Sequence, residues 1–187
     1  MKKLLFTLLA FSIFVNAWSQ FIGPINAAFR STKTAFIYPT KDRDITAMNS
    51  LKDYVVETFN HFKSDGNIII PDSIAATQDL SDFGLLVYGT ISTNLFLTKY
   101  KSLLTFKLEN NVIIFGDITI RDENTRLITC LPNPQNNMKG MVIYTALTNK
   151  TIIGINSVFH GPEDYVISTS ISGNYDKSGT SWKFMKK

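Results

Sequence analysis

Residues 85–94 read LLVYGTISTN. An apolar run stops at Gly89, and Thr90, Ser92, Thr93 and Asn94 follow it. With Phe83 before it, the run is continuous rather than alternating, as in a strand covered on both faces of a parallel sheet. A helix is expected over 92–101, STNLFLTKYK. The turn at Gly89 then falls at the carboxyl end of the sheet, where open α/β folds bind ligands. The first amides of a helix have no internal partner and favour an anion. Gly89 permits a tight turn, and the hydroxyls and the Asn94 amide add donors. The same composition also caps a helix with no ligand at all. The stretch matches neither G-x-G-x-x-G nor G-x-x-x-x-G-K-[ST], so it is no nucleotide fingerprint.

Working outward, TAFIYPT (34–40) reads as a strand stopped at Pro39. Then Ile45, Met48, Leu51, Tyr54, Val55, Phe59 and Phe62 recur at spacings of three and four, the period of an amphipathic helix. Asp44 is placed to cap it, and His61 lies off the apolar stripe and faces solvent. NIIIPD (67–72) is a short strand closed by proline. In 103–120, Asn110-Asn111 separates two β-rich runs and marks a hairpin, since Asn tolerates positive φ. RLITCLPNP (126–134) is a strand ended at Pro132, MVIYTAL (141–147) another, and DYVIST (164–169) the next. NKTIIGINSVF (149–159) suits a short helix, and 170–184 a closing turn with Trp182 and Phe184 packed back. Strands alternating with helices predict an α/β layered fold with a mostly parallel sheet and an inserted β-hairpin.

In such a sheet three corners share one edge: Tyr38 to Thr40, Gly89 to Asn94, and Pro132-Asn133-Pro134. A small polar or anionic group, a sugar or a carboxylate, would be held there. The residues expected to hold it are Tyr38, Thr40, Gly89, Thr90, Ser92, Thr93, Asn94 and Asn133.

The chain begins with Lys2 and Lys3, an apolar run over 4–15, and Ala17-Trp18-Ser19 before Gln20. That is a secretory signal-peptide pattern. The run is too short for a comfortable span of about 20 residues. Residues 1–19 are read as a leader, 20–33 as a lead-in and 34–187 as one α/β domain. It would be exported to periplasm or medium, with no membrane attachment after cleavage. The single cysteine, Cys130, cannot form an internal disulfide and is expected to be a small buried strand residue. The formal charge of +4 comes without a dense basic patch, which excludes a nucleic-acid footprint.

No catalytic residue, metal ligand or cofactor is assigned. G-x-S-x-G and H-E-x-x-H are absent, and two histidines, His61 and His160, with one cysteine are too few for a structural zinc site. The acids of KDRD (41–44) and GPED (161–164) form no EF-hand loop and are read as solvated surface.

Several pieces stand in one order: AFIYPT, DFGLLVYGTISTN, LPNP, MVIYTAL, HGPEDYVI and a final GNYD followed by Trp182. Over about residues 34–184 this resembles the small α/β accessory domain beside the catalytic domain of secreted bacterial prolyl-oligopeptidase-like esterases. The resemblance rests on Gly89 and Asn94, Pro132-Asn133-Pro134, and Asp164-Tyr165. It implies a Rossmann-like three-layer fold. It implies no esterase activity, because the hydrolase half with its serine elbow is missing and Thr90 stands where the pattern often has an acid. The expectation is an exported, non-catalytic domain that binds a small polar ligand or a secreted partner protein. One alternative is an interaction subunit of a separately encoded secreted hydrolase. The less favoured one is a hydrolase using Thr90, Ser92 or Asp117 with His160.

Overall fold

The computed structural model describes residues 23–28, 31, 33–158, 161–170 and 176–179. The leader, His160, Trp182 and Phe184 lie outside the described residues. The elements in chain order are α1 (Ile25–Ala28), β1 (Thr34–Tyr38), α2 (Ile45–His61), β2 (Ile68–Pro71), α3 (Asp72–Ala75), β3 (Gly84–Tyr88) and α4 (Leu95–Lys99). A 3-10 turn at Lys101–Leu103 leads to β4 (Phe106–Glu109), β5 (Val112–Phe115) and β6 (Ile118–Ile120). Then come β7 (Arg126–Asn133), β8 (Asn136–Ala146), α5 (Asn149–Ile152), a 3-10 turn at Ile155–Ser157, β9 (Tyr165–Ser168) and β10 (Lys177–Gly179).

Seven strands form one sheet in the order β10-β9-β7-β8-β3-β1-β2, and β4-β5-β6 form a second. The expected mostly parallel, Rossmann-like sheet is not what forms. In the large sheet β1·β2, β1·β3 and β3·β8 are parallel. However, β7·β8, β7·β9 and β9·β10 are antiparallel, as is every pairing of the small sheet. The cause is chain length between strands. Parallel neighbours need a crossover of a dozen or more residues, whereas two residues suffice for an antiparallel pair. Only Pro134 and Gln135 separate β7 from β8, so β7 must return against it. The inserted hairpin is likewise larger than expected. Asn110 and Asn111 turn with φ of 49° and 59°, and Gly116 makes a second tight turn at φ 60°. The result is a three-stranded meander. The expected closing turn contains β10.

Both faces of the large sheet are covered, which is why its strands read as continuous apolar runs. Phe36, Leu86, Tyr88, Val142 and Tyr144 pack under Leu51 and Val55 of α2, with Ile25 of α1 and Ile152 of α5. Ala35, Ile37, Leu85, Val87, Met141 and Ile143 face the other way, against Ala75, Phe96, Leu97 and the meander residues Phe106, Ile113 and Phe115. The lead-in segment thus contributes Ile25 and Ala28 to the core. Helix α2 begins as expected: the Asp44 side chain accepts from the Ala47 amide at 2.9 Å. Cys130 is buried and His61 exposed, as read from the sequence.

Candidate functional site

The chain leaves β1 for α2 on one face of the sheet. It returns from β2 through α3 on the opposite face and enters β3 on the far side of β1. The loops after β1 and β3 therefore diverge, and a crevice opens between them at the carboxyl ends of the strands.

The floor of that crevice answers whether the Gly89 turn receives an anion. It does, and the anion is the protein's own Asp72. Its carboxylate is fully buried. Oδ2 accepts from the Leu95 amide at the start of α4 at 2.6 Å. Oδ1 accepts from the Thr40 hydroxyl at 2.5 Å. Asn94 does the rest of the capping: its Oδ1 accepts from Leu97 N at 3.0 Å and its Nδ2 donates to Tyr88 O at 2.8 Å. An orphan helix amide and a loop hydroxyl are satisfied from within, so no exogenous anion is needed there.

Above this floor runs a directed chain of hydrogen bonds. Asp42 Oδ2, a carboxylate oxygen, can only accept, so the NH2 of Asn149 must face it, at 2.8 Å. That leaves Asn149 Oδ1 to accept from the Thr93 hydroxyl at 3.0 Å. With the Thr93 proton so used, Thr90 donates in the 3.0 Å Thr90–Thr93 contact. Ser92 then donates to Thr90 at 2.9 Å. Every hydroxyl proton of the turn points inward, and what Ser92 leaves outward is acceptor capacity.

A cavity of about 520 Å3 opens at this place. On the β1 and β3 side it is lined by Asp42, Asp44, Thr90, Ser92 and Thr93, and on the β7 and β8 side by Glu123, Arg126 and Lys150. Arg126 Nε is buried without a hydrogen-bond partner, and desolvation by burial lowers the pKa of the guanidinium. The site thus joins acceptors on one wall to a mixed wall on the other, where Arg126 and Lys150 stand beside the Glu123 carboxylate.

Of the residues expected to bind, Thr90, Ser92 and Thr93 line the cavity. Gly89 and Asn94 build the turn beneath it, with Gly89 at φ 132°. Thr40 is held by Asp72, and Tyr38 packs its ring 5.7 Å from Lys52 Nζ. Asn133 is not part of the site. Because β7 opposes β8, Pro132 pairs with Gly140 while Arg126 pairs with Ala146, so the Pro132 corner sits at the opposite end of the sheet. There Asn133 donates to Leu80 O and Phe83 O, 3.0 Å each. The three corners do not meet on one edge. The sequence reading missed Asp42, taken for a solvated acid, the place of the helix cap Asp44 on the cavity wall, and Arg126, Asn149 and Lys150. Asn149 did carry a signal, an Asn one residue after Thr148 at the end of an apolar strand, the same grammar as Thr93-Asn94.

Ser92 and Thr90 direct their protons along the chain to Asn149 rather than to a base. Asp117 lies beside Tyr165, whose pKa is raised by desolvation on burial and, less, by the Asp117 charge. His160 lies outside the described residues. No group of three or more potential metal ligands occurs among the described residues.

Burial also sets the alkaline limit of the fold. Desolvation raises the pKa of Tyr88, Tyr144, Tyr54 and the Cys130 thiol. A raised folded-state pKa stabilises below the unfolded value, and that stability is lost as pH climbs toward the folded one. Stability is therefore expected to be flat in these groups up to about pH 8.5, where an unfolded thiol titrates, and to fall beyond about pH 10 as unfolded phenols ionise. Urea midpoints measured from pH 7 to 11, with iodoacetamide labelling of Cys130, test this. Rapid labelling of the native protein at pH 8 would contradict it.

No protein-family model matches the chain, and no curated protein matches it.

Proposed function

We propose that the protein is an exported, non-catalytic binding domain whose ligand is a small, neutral, hydroxyl-rich molecule of the sugar class. The ligand is held in the cavity at the carboxyl ends of β1, β3 and β8. One observation carries this reading: the hydrogen-bond chain from Ser92 to Asp42 fixes all turn protons inward. The β1 and β3 wall therefore presents acceptors, while the facing wall presents the cations Arg126 and Lys150 beside the Glu123 carboxylate. A hydroxyl both donates and accepts, so adjacent sugar hydroxyls satisfy both walls. A carboxylate or phosphate satisfies only one, and the seat at α4 that would have favoured it is filled by Asp72. The cavity volume lies within the range of about 300–1,000 Å3 usual for small-ligand sites. The leader pattern of residues 1–19 supports export.

The test is isothermal titration with neutral mono- and disaccharides beside acetate and phosphate. Saturable sugar binding is expected, weakened by about tenfold in Ser92→Ala and in Lys150→Ala. Preference for the anions, or no saturable sugar binding at all, would remove the reading.

A further inference from the structure

A second cavity adjoins the first. Its volume is about 460 Å3, and it is lined by Lys41, Asp42, Arg43, Ser92 and Thr93. Asp42, Ser92 and Thr93 also line the cavity of about 520 Å3, so the two spaces meet at these three residues. The second cavity lies between the loop after β1 and the turn after β3, in the crevice that the diverging loops open. Lys41, Arg43 and Ser92 are exposed and Asp42 is half-buried. A ligand therefore reaches this space without displacing a core side chain. Both volumes lie within the range of about 300–1,000 Å3 usual for small-ligand sites.

The junction is where the hydrogen-bond chain ends. Ser92 donates inward to Thr90 at 2.9 Å and keeps acceptor lone pairs outward. Asp42 accepts once on each oxygen, from the Asp44 amide at 3.1 Å and from Asn149 Nδ2 at 2.8 Å. Each of those oxygens has a second acceptor position. Acceptors thus stand in the middle and donors on both flanks. Arg126 and Lys150, beside the Glu123 carboxylate, flank the first cavity, and Lys41 and Arg43 flank the second. Among the described residues the salt bridges are Lys33–Asp82 and Lys107–Glu109, so neither Lys41 nor Arg43 is taken up by a carboxylate. Their aliphatic stems also offer apolar surface to the C–H face of a sugar ring.

We infer that the ligand of this crevice is an oligosaccharide of at least two linked neutral rings, one ring in each cavity and the linkage passing over Ser92. The inference rests on the sugar reading above and names its substrate class. A single ring occupies one cavity and leaves the donors of the other in water. A second ring tethered to the first meets Lys41 and Arg43 at a high effective concentration, so it adds affinity without a second loss of free translation. The gain is moderate, because these exposed donors exchange water for sugar hydroxyls. The Asp42 carboxylate at the junction repels an acidic ring and accepts from a neutral one.

Calorimetric titration of the full chain with glucose, maltose, cellobiose and gentiobiose tests this. At least one of the disaccharides is expected to bind about tenfold more tightly than glucose, with a single molecule per chain. The double variant Lys41→Ala/Arg43→Ala removes two exposed side chains of the second cavity. It is expected to bring the ratio of disaccharide to glucose affinity close to unity, with the far-UV circular dichroism unchanged. Lys150→Ala, in the first cavity, is expected to weaken glucose and disaccharide alike, so that the ratio stays. Disaccharides that bind no more tightly than glucose, or a ratio that survives the double variant, would overturn the inference and leave the sugar reading standing. Absence of saturable binding by glucose and by every disaccharide would remove that reading and this inference with it.

Discussion

Asp72→Ala is expected to lower the free energy of unfolding by about 3 kcal/mol, the sum of two lost hydrogen bonds to a buried carboxylate. At this chain length that corresponds to a fall in Tm of about 6–12 °C. The carboxylate is wholly buried and has two partners, the Leu95 amide and the Thr40 hydroxyl. It ties the end of β2 to the start of α4 and to the loop after β1, three places far apart in sequence. Alanine leaves the Leu95 N–H and the Thr40 hydroxyl without this partner. Asp72→Asn is expected to cost less, about 1 kcal/mol, because the amide oxygen still accepts from one partner. Equilibrium urea unfolding of the three proteins, with unchanged m-values, measures the difference. A loss under about 0.5 kcal/mol for the alanine variant would mean that the cap holds nothing.

Gly89→Ala is expected to cost about 2–3 kcal/mol and to weaken sugar binding as well. Gly89 sits at φ 132°, a conformation L side chains rarely adopt, and an added Cβ would meet the Asn94 Cβ at 3.0 Å. Asn94 cannot yield easily, since both ends of its amide are engaged, on Tyr88 O and Leu97 N. Strain at Gly89 passes directly into the turn that orients Thr90 and Ser92. Gly154 gives the comparison. Its φ of 84° and ψ of 0° lie close to the left-handed region that Asn tolerates, so Gly154→Asn is expected to cost under about 1 kcal/mol. Equal losses at the two positions, read from urea midpoints, would show that backbone conformation at Gly89 is not what matters.

The parts of the site legible in the sequence were those whose role is local. Thr90, Ser92 and Thr93 follow a strand end, and hydroxyls in that position either cap or bind. The Asp44 cap was legible for the same reason. Asp42 was not, because an acid in a charged loop looks solvated until Asn149 arrives from the end of β8, 107 residues away. Asn133 was assigned to the wrong end for a related reason. Its loop resembles the other strand ends, but the direction of its strand depends on a partner. The spacing between β7 and β8 did contain that information, since two residues leave no room for a crossover.

From the order of its amino acids alone this protein's strands β1, β2, β3, β7, β8 and β9, its long helix, the Asn110-Asn111 turn and the burial of Cys130 were determined. Each follows from local periodicity or from the conformational freedom of one or two residues. Tertiary structure alone decided which strands run against their neighbours, that Asp72 fills the helix end prepared beside Gly89, and that Phe62 turns outward past the end of α2 while Tyr88 and Tyr144 stack in the core. Those outcomes depend on pairings between distant segments. A carboxylate or an aromatic ring gives no local sign of the partner it will meet or miss.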